Sequence, residues 1–220
     1  MSEKDLRADV VAAYRELERQ GMNKGASGNV SARLGAHMLI TPSGIPSSEM
    51  EPAQVAKLRI EDKSGSYKGP CKPSSEWRFH RDILHARPDA GAIVHTHAPF
   101  STILAILRKP IPAVHYMMAA FGATEIKVAP YATYGTPELS QAVIGAMEGA
   151  KGCLMANHGM VVAGPNLTRT MWLAGELELL ARQYYHSLLA GTPHILSKAE
   201  IAEAAKSFES YGPQAVEKDS

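Results

Sequence analysis

The sequence predicts a single α/β domain. Its 220 residues are about the length of one sizeable domain. Short strand-like segments alternate with amphipathic helical segments, and the hydrophobic fraction of 45% is typical of a folded globular protein. The chain contains no internal repeat, low-complexity tract or linker-like segment that would divide it. We therefore expect one domain over residues 1–220.

The charge and hydropathy of the chain exclude several kinds of partner. Lys and Arg number 23 against 22 Asp and Glu without any basic cluster, so we expect no nucleic-acid partner. The longest apolar stretches, 102–107 and 117–122, are far shorter than the roughly 18 residues of a membrane span, so no membrane partner is expected. The first ten residues carry no secretory signal, which favours a cytoplasmic location with Cys71 and Cys153 as reduced thiols.

The first third of the chain is predicted to contain one helix and several strands. Apolar side chains recur at helical spacing over residues 3–20, between the cap residues Ser2 and Gly21. A Gly/Asn/Ser-rich loop follows, and apolar residues then alternate with polar ones as in half-buried strands. The predicted strands lie at 30–34, 38–41 and 56–60.

Residues 73–107 are predicted to form a helix, a strand and a second helix. Pro73, followed by two serines, introduces the first helix, which Pro88 ends. The apolar run at 92–95 has the length and composition of a buried strand. Pro99 then marks the first turn of the next helix, which ends near residue 107.

The second half of the chain combines further helices with two strands. Thr136 caps a helix that ends at Gly149, and a capping box formed by Ser197 and Glu200 begins the last helix. Two apolar segments flank the tight turn at 157–159 and have the character of strands. The predicted elements are a helix at 136–149, strands at 152–156 and 160–163, a long helix at 168–189 and a helix beginning near 197.

Three histidines are the strongest candidates for a metal site. His95 and His97 are two residues apart on a strand and therefore point to the same face, although an isolated pair is equally consistent with unrelated polar residues. His158 lies in a tight turn from which it can reach a cleft. Three histidines that leave coordination positions open are typical of catalytic zinc. Glu76 either joins them as ligand or base, or only stabilises a helix N-terminus, and His80 is interpreted as a supporting or structural residue.

Three loops are suited to binding an anion. They are 25–29, 41–44 and Ser74-Ser75 at a helix N-terminus. Backbone N–H groups and hydroxyls in such loops can surround phosphate oxygens. Each loop alone is also typical of an ordinary turn, so their joint occurrence is the informative observation.

Seven segments together resemble the class II aldolase and adducin family. They are GNVSAR at 28–33, MLITPSGIP at 38–46, PSSEWRFH at 73–80, VHTHA at 94–98, PAVHYMMAAFG at 112–122, APYATYGT at 129–136 and NHG at 157–159. The resemblance spans nearly the whole chain. It implies a central, mostly antiparallel sheet flanked by helices, a mobile carboxy-terminal tail from about residue 207, and a homotetramer with active sites at the subunit interfaces.

The resemblance also implies the roles of individual residues. His95, His97 and His158 would hold one Zn²⁺ per subunit, or Mn²⁺ or Co²⁺ in its place. Glu76 would be the carboxylate beside the metal and the acid/base group, and Tyr116 of a neighbouring subunit would be the proton donor. The residues expected to bind the substrate phosphate are Ser27, Gly28, Asn29, Ser43, Gly44, Ser74 and Ser75.

The reaction that the resemblance implies is reversible cleavage of a ketose 1-phosphate to dihydroxyacetone phosphate and an aldehyde. The candidate substrates are L-fuculose 1-phosphate, a 5-deoxypentulose 1-phosphate and methylthioribulose 1-phosphate. Tyr134 stands where the family pattern has Phe and adds a polar group near the aldehyde part of the substrate. Tyr211 in the tail would help to close the site, or would pack at a helix end instead.

Three other functions are compatible with the same family. A sugar-phosphate 4-epimerase and a methylthioribulose-1-phosphate dehydratase would use the same metal frame. An adducin-like interaction module would keep the fold without a metal. The EWRFH and HYMMAAFG segments favour the aldolase, and the intact histidines and Glu76 argue against the interaction module.

Overall fold

Six α-helices form in residues 2–209, the part of the chain that the computed structural model describes. Their ends follow local signals: Ser2 and Asp5 form a capping box, and the Asn166 side chain accepts a hydrogen bond from the Arg169 backbone N–H. Proline occupies the first turn of α3 and of α4. The helices are α1 (Glu3–Arg19), α2 (Trp77–Ala86), α3 (Pro99–Ile106), α4 (Pro137–Ala146), α5 (Leu167–Ala190) and α6 (Lys198–Glu209).

The strands form one large sheet and one small pair. The strands are β1 (Asn29–Leu34), β2 (His37–Ile40), β3 (Ala56–Arg59), β4 (Tyr67–Lys68), β5 (Ala92–Thr96), β6 (Ile111–Pro112), β7 (Glu125–Ile126), β8 (Val128–Ala129), β9 (Gly152–Met155) and β10 (Gly159–Gly164). The large sheet has eight strands in the order β4-β3-β2-β1-β5-β10-β9-β8, whereas β6 pairs with β7. Every pair in the large sheet is antiparallel except β8 with β9. The α/β class and the mostly antiparallel sheet are thus confirmed.

Helices cover both faces of this sheet. Alternate residues of a strand point to opposite faces, so Val94 packs with α1, α3 and α5, whereas Ile93 packs with α2 and α4. On β1, Val30 likewise belongs to the first cluster, which directs Asn29 and Ser31 to the face that α2 covers. This alternation places polar side chains of β1 beneath α2.

The structure differs from the sequence-based expectation in three places. The helix expected from Pro73 begins at Trp77, with Glu76 as its N-cap. Residues 111–129 contain the short strands β6 to β8 and a 3-10 helix at Tyr116–Phe121, none of which the apolar pattern predicts. Helix α6 continues through Glu209, and Tyr211 lies outside the described residues. Within residues 2–209 no helix combines the length and the apolar character needed to cross a bilayer.

Candidate metal centre and active site

The three predicted histidines converge at the ends of central strands of the large sheet. His95 lies on the central strand β5, His97 follows that strand directly, and His158 occupies the turn between β9 and β10. One ligand atom from each lies within 4.8 Å of the others. The Nε2 atoms of His95 and His97 are 3.2 Å apart. The fold therefore brings together the three side chains that the sequence predicts as a metal site.

Two of the three histidines have neutral rings with a free nitrogen lone pair, and the third is held in place by hydrogen bonding. Burial, with a smaller contribution from His95, lowers the pKa of His97 and of His158 to about 4, so both rings are neutral at neutral pH. Burial alone would lower the pKa of His95, but the Glu76 carboxylate outweighs it and raises that pKa. The Nδ1 atom of His95 lies 2.8 Å from the Met160 carbonyl oxygen, to which it donates, and this directs Nε2 towards the other histidines.

Glu76 completes the cluster from the N-cap of α2. Its Oε2 is 3.1 Å from Nε2 of His95, and its Oε1 is 3.3 Å from Nε2 of His158. Burial acts to raise the pKa of this carboxyl, but the adjacent His95 outweighs burial and holds the pKa below its usual range. The Glu76 side chain makes no capping hydrogen bond to α2, so the alternative role at the helix N-terminus is not what the geometry favours.

The donor set fits a zinc-like ion. Zn–N bonds of about 2.0–2.1 Å in tetrahedral geometry place neighbouring nitrogens roughly 3.3–3.4 Å apart. The 3.2 Å between the His95 and His97 nitrogens is close to this spacing. Among residues 2–209, Oε1 of Glu76 has no hydrogen-bond partner although it is buried. A buried carboxylate oxygen of this kind needs a cation or a proton beside it. Imidazole nitrogens and carboxylate oxygens are ligands that suit zinc and neighbouring transition metals.

A cavity of about 320 Å³ opens beside these residues. Glu76, His97 and His158 are among the residues that line it. All seven residues expected to bind phosphate also line it, together with Tyr134. Hydrogen bonds from the Ser43 N–H to the Lys72 carbonyl, 3.0 Å, and from the Ser74 N–H to the Thr41 carbonyl, 2.9 Å, join two of the predicted loops. Phosphate binding by these residues stays a prediction.

The amino-terminal loop contributes to the cavity mainly through its backbone and Asn29. Gly28 has a φ of +70° and packs so closely against Asn23 that a Cβ there would overlap it. The Ser27 hydroxyl donates a hydrogen bond of 2.8 Å to the Lys24 carbonyl. Ser27 is therefore engaged within its own turn, whereas Asn29 is buried and directed towards Ser74 and Glu76.

The predicted tyrosines lie in different places. Tyr134 is 65% exposed and lines the cavity. The next residue, Gly135, approaches the Ser75 carbonyl too closely for any side chain at residue 135. Tyr116 is 53% exposed and stacks on Phe208 of α6 at 6.1 Å between ring centroids. Among the described residues, the cavity lining does not include Tyr116.

Two residues outside the predicted site residues support the histidines. Glu178 of α5 accepts hydrogen bonds from the backbone N–H groups of Phe100 and Ser101, and from the Ser101 hydroxyl, at the start of the helix that follows His97. Gly159 lies so close to β5 that a side chain there would overlap backbone. A glycine directly after a histidine in a tight turn is a readable signal, whereas nothing in the sequence spacing marks Glu178.

Comparison with known proteins identifies the family. Residues 8–185 match the family model for the class II aldolase and adducin N-terminal domain. A 5-methylthioribulose-1-phosphate/5-deoxyribulose-1-phosphate aldolase from Rhodospirillum rubrum is 48% identical over 210 residues, covering 96% of this chain and 94% of the relative. An L-fuculose phosphate aldolase from Escherichia coli O6:H1 is 42% identical over 213 residues, covering 96% of this chain and 98% of the relative.

A solved structure agrees with this result. The structure of an L-fuculose 1-phosphate aldolase superposes with a TM-score of 0.90 at 35% identity, covering 95% of this chain and 98% of that one. The chain belongs to the class II aldolase and adducin family. Within it, the relatives are aldolases, and the chain is an enzyme of this lyase class.

Proposed function

We propose that the chain is a zinc-dependent aldolase that reversibly cleaves a ketose 1-phosphate to dihydroxyacetone phosphate and an aldehyde. The observation that carries the proposal is the lining of one cavity, which includes His97, His158 and Glu76 as well as residues of the serine- and glycine-rich loops. A substrate whose phosphate occupies the loops would present its nearby carbonyl carbon to the metal centre. The names of the relatives favour methylthioribulose 1-phosphate, 5-deoxyribulose 1-phosphate and L-fuculose phosphate as substrates.

The chemistry of this cleavage requires stabilisation of negative charge. Breaking the C3–C4 bond leaves an electron pair on C3 that is delocalised onto the neighbouring carbonyl oxygen. A zinc ion held by His95, His97 and His158 supplies Lewis-acid stabilisation of that charge. In the direction of condensation, Glu76 removes a proton from C3 of dihydroxyacetone phosphate, and Tyr116 protonates the new C4 oxygen. The buried position of Glu76 between His95 and His158 supports its role as base.

The position of Tyr116 supports a site shared between subunits of a homotetramer. Its side chain is 53% exposed, whereas the cavity of the same chain is lined by other residues of the described part. Apolar side chains at the ends of α3 and α5 are also exposed, with Leu107 at 59% and Leu189 at 69%. Surfaces of this kind are typical of protein–protein contact, and assembly would bring Tyr116 of one subunit to the cavity of its neighbour.

Subunit mixing tests the shared site. His97→Ala and Tyr116→Phe proteins should each fold and be almost inactive on their own. In tetramers refolded from an equal mixture, about a quarter of the sites would combine an intact metal centre with an intact tyrosine, and activity should return to about that fraction. A mixture as inactive as its parents would show that Tyr116 acts within its own chain, and an active Tyr116→Phe parent would remove Tyr116 from the mechanism.

A substrate panel tests the reaction itself. Dihydroxyacetone phosphate release would be measured from methylthioribulose 1-phosphate, 5-deoxyribulose 1-phosphate and L-fuculose 1-phosphate, and the ratios of kcat/KM would rank the aldehyde parts. Formation of an epimer or a dehydrated product without free aldehyde would replace the aldolase by the epimerase or the dehydratase. A purified protein that binds no divalent metal would favour the adducin-like interaction module over an enzyme. The cytoplasmic location stays a prediction.

A further inference from the structure

A buried histidine outside the metal cluster connects strand β1 to helix α2. His80 is fully buried; its Nδ1 lies 2.7 Å from the Ser31 hydroxyl, and its Nε2 lies 2.5 Å from Oδ1 of Asn29. Asn29 and Ser31 are two residues apart on β1, so both point to the same face. Each ring nitrogen of His80 therefore has one partner on the same strand.

The hydrogen bonds around Asn29 determine both the orientation of its amide and the nitrogen of His80 that carries the proton. Nδ2 of Asn29 lies 2.9 Å from the Ser74 hydroxyl and 2.9 Å from Oε2 of Glu76. The amide has two N–H groups, and both are used by these acceptors. Its oxygen must then accept a hydrogen bond, which Nε2–H of His80 donates. Nδ1 of the same ring accepts the Ser31 hydroxyl proton, since burial lowers the pKa of His80 to about 3 and keeps the ring neutral.

The reverse orientation of the Asn29 amide is unfavourable. It would place Oδ1 against the ionised Glu76 carboxylate, so that two oxygens without a proton between them face each other in a buried site. It would also turn the amide N–H groups towards the donating nitrogen of His80. The neutral His80 ring with its proton on Nε2 matches only the orientation in which Asn29 donates to Glu76.

We propose that His80 is a positioning residue that acts through Asn29. The chain of hydrogen bonds from Ser31 through His80 holds the Asn29 amide so that its two N–H groups face Glu76 and Ser74. This engages Oε2 of Glu76 and leaves Oε1 directed at His158 for the metal or the substrate proton. The catalytic consequence rests on the proposed function, whereas the effect on metal affinity does not.

Two amide substitutions, each of which can replace one ring nitrogen of His80, separate hydrogen bonding from packing. The amide nitrogen of glutamine in His80→Gln can take the place of Nε2 and donate to Asn29. The shorter side chain in His80→Asn can reach Ser31 but not Asn29. We expect zinc affinity, measured by competition with a chelator, to fall about 10–100-fold in His80→Asn and by less than about 3-fold in His80→Gln. Equal affinities in the two variants would overturn the proposal.

A double-mutant cycle with Asn29→Ala supplies the decisive readout. If His80 acts through Asn29, then His80→Asn added to Asn29→Ala should weaken zinc binding no further. Additive losses would mean that His80 only fills space beside Phe79, and the proposal would fall. Ser31→Ala provides a second cycle should His80→Asn unfold, with a smaller expected loss of about 3–10-fold that is likewise absent in the Asn29→Ala protein.

The zinc measurements keep this proposal separate from the proposed function. If the wild-type protein cleaves no ketose 1-phosphate, the proposed function fails, but the cycles can still be measured on zinc binding. If cleavage is present, kcat at saturating zinc should fall in His80→Asn and stay close to wild type in His80→Gln, because the orientation of the Glu76 carboxylate affects its action as base. Loss of kcat in His80→Gln equal to that in His80→Asn would overturn the catalytic part.

Discussion

The substitution Gly159→Ala tests how the sheet holds the metal-binding histidines. A Cβ at this position would lie less than 3.0 Å from the Thr96 carbonyl oxygen and 3.1 Å from Cδ2 of His97. Contacts between carbon and carbonyl oxygen ordinarily measure about 3.3–3.6 Å. Strands β5 and β10 would therefore have to separate by at least about 0.3 Å. Overpacking of this kind costs about 1–3 kcal/mol of the free energy of unfolding.

The same displacement should also weaken metal binding. His97 follows β5 directly and has its ring against residue 159, so we expect zinc affinity to fall about 10–100-fold. Urea denaturation and chelator competition measure the two effects. The control is Gly145→Ala on α4, where no atom other than the adjacent residues and the backbone of the same helix lies within 4 Å of the added Cβ. Alanine is favoured over glycine in a helix by roughly 0.5–1 kcal/mol, so the control should be at least as stable as wild type. Wild-type stability and zinc affinity in Gly159→Ala would refute the reasoning.

Three further predictions concern the metal, the thiols and helix α3. His97→Ala should abolish tight zinc binding and activity together because it removes one of three nitrogen donors; zinc retained at one ion per chain would contradict the ligand assignment. Ellman's reagent should titrate one thiol in the native chain, because Cys71 is partly exposed whereas burial raises the pKa of Cys153; two fast thiols would contradict this. Glu178→Gln should cost about 1 kcal/mol in urea denaturation by weakening the hydrogen bonds at the start of α3, and an unchanged midpoint would count against that role.

Elements with signals at their own ends are predictable from the sequence. The capping box of α1, the prolines that open α3 and α4, and the asparagine cap of α5 are local features, and each helix begins near its predicted residue. Strands of two residues such as β6, β7 and β8 are too short to show a hydrophobic period. The order of the strands depends on pairings distant in sequence, so only the family resemblance indicated a mostly antiparallel sheet.

The candidate site likewise contains residues that the sequence predicts and residues that only the fold brings together. His95 and His97 are predictable because their spacing on one strand determines their common face. His158 and Glu76 reach them only because β5 lies between β1 and β10 and α2 packs over β1. The contacts of His80 with β1 have no counterpart in sequence spacing, since each joins residues on different elements. The loops of the cavity were recognisable singly as turns, and their meeting around one space required the fold.

Metal removal and return is the most direct test of a metal-dependent aldolase. Dihydroxyacetone phosphate release from methylthioribulose 1-phosphate would be followed with protein stripped by a chelator and then titrated with zinc. We expect no release by the stripped protein and full recovery at one zinc ion per chain. Undiminished release by metal-free protein would contradict the proposed role of His95, His97 and His158.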